Sequence, residues 1–136
     1  MITKLCCGLI LLAACAGRRP LVEDLLGRED LSKFALDSVR GARDGDHLNA
    51  RARITDGSST FSLEMRFMIG PTTRLQSGQW QRMRDNTVNG GVMTERSVTF
   101  LGGQSGPPSI GGRFDLLGAA GAPEYRVTLP VTPLSR

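Results

Sequence analysis

Two neighbouring stretches of strict alternation constrain this chain more than any other feature. In residues 48–54, Leu48, Ala50, Ala52 and Ile54 alternate with Asn49, Arg51 and Arg53. In residues 60–69, Phe61, Leu63, Met65, Phe67 and Ile69 alternate with Thr60, Ser62, Glu64 and Arg66. A period of two places each apolar set on one face of a β-strand. Between them, Thr55-Asp56-Gly57-Ser58-Ser59 is turn chemistry. A loop over 56–59 sets Ile54 against Phe61, Ala52 against Leu63, Ala50 against Met65 and Leu48 against Phe67. On the other face Arg51 meets Glu64, an opposite-charge cross-strand pair. A one-residue slip would turn one apolar set toward water, so the register is strongly specified.

Shorter signals extend the pattern. Residues 34–40, 79–84, 92–100, 112–117 and 124–131 each read as a strand. Asn89-Gly90-Gly91 reads as a hairpin turn before the third of these. In the fourth, Phe114 and Leu116 face inward. In the fifth, Tyr125, Val127, Leu129 and Val131 share a face, and Pro130 marks a sheet edge or strand end. In the third, Val92, Thr94, Arg96, Val98 and Phe100 share a face. Gly102 to Gly112, with five glycines and two prolines, is expected to be a long loop. About seven short strands with almost no helix predict an all-β domain over 33–136, a β-sandwich or small barrel, with a small antiparallel sandwich of immunoglobulin-like or related type fitting the strand count. The Cys…Trp…Cys spacing of true immunoglobulin domains is absent. A domain of about 100 residues buries roughly 60–65% of its unfolded surface, enough for a core without disulfides. With 40% hydrophobic and 22% charged residues, the composition is that of a globular protein, not a collagen repeat or a polytopic membrane protein.

The N-terminus has a different character. Lys4 precedes the apolar or small run Leu5-Cys6-Cys7-Gly8-Leu9-Ile10-Leu11-Leu12-Ala13-Ala14. That run is half the roughly 20 residues a membrane-spanning helix needs. A charged start, a short apolar stretch and small residues at its end describe an export signal over 1–14.

Leu12-Ala13-Ala14-Cys15 resembles the lipobox of bacterial lipoprotein precursors. The resemblance covers residues 1–15. It implies cleavage between Ala14 and Cys15, a diacylglyceryl thioether on the Cys15 sulfur and acylation of the new amine. The chain would then be held to a membrane of the bacterial cell envelope. Ala16 stands where Asp marks inner-membrane retention in the enterobacterial sorting rule, which favours the outer membrane, facing the periplasm. A competing ordinary secretory cut fits Ala14-Cys15-Ala16 and would release an unanchored chain from Gly17. Residues 15–32 read as a lipidated terminus and tether, in which Pro20 can open a helical turn through Leu21, Leu25 and Leu26.

Removal of residues 1–14 takes Cys6 and Cys7 and leaves Cys15 to the lipid. A disulfide within the mature chain and a structural zinc site are then both disfavoured, and no metal or other cofactor is expected. His47, the single histidine, follows Asp44-Gly45-Asp46 and reads as a turn residue more readily than as a general base. No nucleophile elbow, phosphate loop or H-E-x-x-H motif occurs. The formal charge is +4, and arginine supplies nearly all the cations. In an exported protein this points to anionic glycans or lipid head groups, not nucleic acid. Arg51, Arg53 and Arg66, joined by Arg82, Arg84 and Arg96, are candidates for a basic binding face, with Trp80 as a platform for a sugar ring. The expectation is a non-enzymatic lipoprotein with a structural or protein-interaction role in the envelope. The alternative is a periplasmic module binding an anionic glycan or lipid.

Overall fold

The computed structural model describes residues 21–102 and 106–136. The signal peptide, the Ala14–Cys15 cleavage site and the lipidation site at Cys15 lie outside these residues. Eight antiparallel strands form one sheet: β1 (Val22–Asp24), β2 (Ala35–Asp44), β3 (His47–Thr55), β4 (Ser59–Met68), β5 (Arg74–Arg84), β6 (Thr87–Leu101), β7 (Ser109–Leu117) and β8 (Pro123–Pro133). From β2 to β8 each strand pairs with the next in the chain, and β1 returns to pair with β8. The sheet curls into a half-barrel around its apolar side.

The β3–β4 hairpin has the register the alternation dictates. Ile54 pairs with Phe61, Ala52 with Leu63, Ala50 with Met65, Leu48 with Phe67 and Arg51 with Glu64. Every apolar member of these pairs is buried, and the intervening residues face outward. A charged outer face over an apolar interior is the reverse of what lipid demands of a transmembrane barrel.

The all-β expectation holds, but the strands make one curled sheet of eight rather than a sandwich of seven. The reason is β6, which is fifteen residues long. Its first part, Thr87–Val92, pairs with β5, and its second, Met93–Leu101, pairs with β7. One strand serving two partners turns the corner that a sandwich would make with a loop. The far side is fastened by the chain after β8. Gly41 N–H donates to the Ser135 carbonyl at 2.9 Å, and Ser135 N–H donates to the Val39 carbonyl at 3.1 Å.

Four local expectations change. Asn89-Gly90-Gly91 is strand interior, because the β5–β6 turn falls at Asp85–Asn86, where Asp85 takes a left-handed φ of 53°. Gly91 is needed for closeness: a side chain there would strike the Leu117 carbonyl, which accepts the Trp80 indole N–H at 2.9 Å. Second, Ser109–Gly112 belongs to β7, so the connection after β6 is shorter than Gly102 to Gly112. Third, the single inward face expected over 92–100 breaks at a bulge between Glu95 and Ser97. Met93 points inward before it, and Val98 and Phe100 pack on the core after it. Fourth, residues 21–32, read as tether, lie on the body. Val22 pairs with Val127, Val22 and Leu31 are buried, and the segment around Leu21 is extended rather than helical.

Phe61 is the centre of the core. Its ring lies 5.2 Å from Phe34 and 5.1 Å from Tyr125, both edge-on, and 6.2 Å from Trp80. The guanidinium of Arg82 stacks 4.9 Å from the same ring.

Candidate functional site

The outer face of β2–β5 carries the candidate site. The two-residue turn Gly45–Asp46 fixes the β2–β3 register, with Asp44 opposite His47 and Arg40 opposite Arg51. Arg51 is in turn opposite Glu64, and Glu64 opposite Gln79. Arg66 lies in the adjacent row, opposite Asn49. These rows form the floor of an open groove of about 840 Å³, rimmed by Arg40, Arg51, Arg66 and Arg136. Arg136 reaches it because the Ser135 bridge brings the chain end beside Gly41.

The cations of the groove are unequally neutralised. Arg51 meets Glu64 at 3.3 Å. Arg66 donates from Nη1 to the Asn49 side-chain carbonyl at 2.8 Å and from Nε to Gln76 at 3.3 Å. Gln76 is the extra residue where the β4–β5 register shifts, and the bulge turns its amide toward Arg66. Arg40 has no carboxylate within salt-bridge distance among the described residues. Like charges directly opposite across a strand pair repel. Arg40 beside Arg51, with Glu64 as the one carboxylate among the described residues paired to either, leaves this row with an excess positive charge.

The sequence-derived candidates divide. Arg51 and Arg66 share the groove. Arg53 is on the same strand face, 4.0 Å from Asp37, and does not line it. Trp80 is 3% exposed and packed against Phe61 and Tyr125, so it is a core residue with no ring face for a ligand. Arg82 is buried and bound to Glu29, Arg84 shares that carboxylate, and Arg96 belongs to a separate cluster around Asp115. Arg40 and Arg136 are groove residues that the alternation alone misses. The Asp-Gly-Asp turn carries the signal for Arg40, since a two-residue loop there counts back to Arg51. Nothing in the sequence signals Arg136, whose place depends on the closure of the half-barrel.

Among the described residues no group of three or more His, Cys, Asp or Glu side chains is arranged to hold a metal ion. No helix among them is long and apolar enough to cross a membrane. The chain matches no protein-family model, no curated protein and no solved structure.

Proposed function

We propose that this chain is a lipid-anchored protein of the bacterial cell envelope, joined through Cys15 to the periplasmic face of the outer membrane. Its β-domain acts without catalysis, in a structural or protein-interaction role. The anchor rests on the resemblance of Leu12-Ala13-Ala14-Cys15 to a lipobox. Metabolic labelling with a clickable fatty acid tests it. The wild type takes the label and Cys15→Ala does not; equal labelling of the two removes the anchor.

A second reading is supported by one observation, the unneutralised Arg40 facing Arg51 across β2 and β3. It makes the groove a binding site for an anionic glycan or lipid head group. Guanidinium forks suit carboxylate and phosphate geometry, and Asn49 and Gln79 supply amides for hydroxyls alongside. Binding of an acidic polysaccharide is expected to weaken with ionic strength, because the contacts are exposed. Arg40→Glu should reduce it further than Arg53→Glu, since Arg53 stands outside the groove. Equal effects of the two reversals, or no binding at low salt, count against this reading.

A further inference from the structure

One corner of the half-barrel shows water an apolar surface that its own backbone holds out. After β1 the chain turns through Leu25-Leu26-Gly27, with Leu25 37% and Leu26 57% exposed. The turn is fixed. The Asp24 carboxylate accepts from the backbone N–H of Leu26 at 3.0 Å, of Arg28 at 2.8 Å and of Glu29 at 3.1 Å. Gly27, at a left-handed φ of 67°, donates its N–H to the Asp24 carbonyl. These bonds fix the backbone of the turn on which the two leucines sit at the surface.

A second apolar tip stands beside the first. Leu25 N–H donates to the Glu124 carbonyl at 2.9 Å, which brings the β7–β8 connection next to the leucine turn. That connection, Gly118-Ala119-Ala120-Gly121-Ala122-Pro123, contains no charged residue, and Ala119 to Pro123 are all exposed. Its own hydrogen bonds, Gly118 N–H to the Ala122 carbonyl and Gly121 N–H to the Gly118 carbonyl, are both 2.9 Å. The flanking cation is Arg28, 44% exposed, paired with Asp24 and with Glu124. With Arg28 neutralised by these two carboxylates, what the corner offers a lipid surface is apolar contact rather than charge.

We infer that the Leu25–Leu26 turn and the Gly118–Pro123 connection form a docking corner that rests on a lipid bilayer surface. The inference depends on the proposed anchor at Cys15, which decides for lipid over a protein partner. Pairing of β1 begins at Val22. The chain from Cys15 to Val22 therefore spans at most about 25 Å, at roughly 3.5 Å per residue. A domain leashed that closely meets the bilayer at high local concentration, so even a small apolar corner is held against it.

The test uses the full-length protein processed in cells and placed in phospholipid vesicles containing spin-labelled lipid. Leu26→Cys carries an environment-sensitive fluorophore. Leu101→Cys carries the same probe and is the control, because Leu101 is equally exposed at 58% but pairs with Ser109, at the other end of β7 from the Gly118–Pro123 connection. Neither position is buried, so both variants keep the fold. Quenching at position 26 is expected to exceed that at 101 by about threefold or more, as for a side chain at the acyl boundary. Equal quenching at the two positions overturns the docking corner while leaving the anchor in place. A wild-type product that takes up the fluorophore through a free Cys15 thiol, or whose mass is that of an unlipidated chain from Gly17, overturns the anchor and the corner with it.

Discussion

Arg82 and Glu29 form a two-pronged ion pair, Nη1 to Oε2 at 2.6 Å and Nη2 to Oε1 at 3.0 Å, with the arginine only 4% exposed. The pair joins β5 to the segment between β1 and β2, some fifty residues earlier in the chain. Arg82 also donates to the Ser59 hydroxyl at 2.9 Å and to the Tyr125 hydroxyl at 3.1 Å, so all three of its nitrogens are engaged.

Removing the carboxylate strands that charge. Glu29→Ala is expected to cost about 2 kcal/mol, below the roughly 3–5 kcal/mol of a fully buried pair because the Glu29 side chain is 30% exposed. Arg84→Ala removes only the half-exposed second partner of Glu29 and is expected to cost under about 1 kcal/mol. Urea denaturation of the two variants measures the difference. Similar losses would mean that the segment between β1 and β2 is held by its apolar contacts instead.

Acid should act on this cluster and on the one around Asp115. The Arg82 hydrogen bond holds Glu29 below its ordinary value of 4.5, overcoming the opposing effect of burial, and Arg84 adds to it. At Asp115 burial pushes the carboxyl up, but the bonds from Arg126 and Arg96 outweigh it and leave it below 3.8. A depressed folded value means the stabilisation is complete above the unfolded value and disappears as pH falls through the folded one. Stability is therefore expected to be nearly level above about pH 5 and to fall below it. Glu29→Gln should lower the plateau and flatten the fall, measured by thermal denaturation across pH. An unchanged acid slope would exclude Glu29 from the effect.

Closeness, rather than flexibility, is what Gly91 supplies. Gly91→Ala is expected to destabilise the protein by about 1–3 kcal/mol, through overpacking against Leu117 and the Trp80 indole. Gly106→Ala, where a methyl group meets nothing within 4 Å, should be nearly neutral. Melting temperatures followed by Trp80 fluorescence report both, and a shifted emission maximum in Gly91→Ala would show the indole displaced.

Pairing across β3 and β4 predicts a contrast between faces. The Arg51–Glu64 bridge has side chains 76% and 60% exposed, and a double-mutant cycle should give a coupling below about 0.5 kcal/mol. Phe61→Ala, on the inner face, should cost about 3–5 kcal/mol. A large coupling for the surface pair would show that charge pairing, not apolar burial, sets the register.

The contrast also explains which parts of the fold were legible in the sequence. The β3–β4 hairpin was readable to the residue because alternation and turn chemistry are both local, and nothing interrupts the period. β6 was not, because the bulge between Glu95 and Ser97 shifts the inward face halfway along, and a change of partner leaves no mark on composition. The glycines of β6 mimic a turn when they are in fact spacers for the neighbouring strand. At the candidate site, Arg51 and Arg66 were visible as outward residues of clean strands. Trp80 is not legible because an aromatic next to arginines reads alike whether it faces water or the core, and its place opposite the buried Leu63 decides between them.

From β2 onward every strand finds its partner in the next stretch of chain, so hairpin after hairpin can zip up with little loop to close. β1 is the exception: Val22 must wait for Val127. Closure over so long a separation is slow relative to local pairing, and three residues of ladder give it little hold. The docking of β1 should thus be the last event of folding and the first to reverse, making the N-terminal segment the element whose opening exposes the Arg82 cluster while the rest of the sheet stays paired.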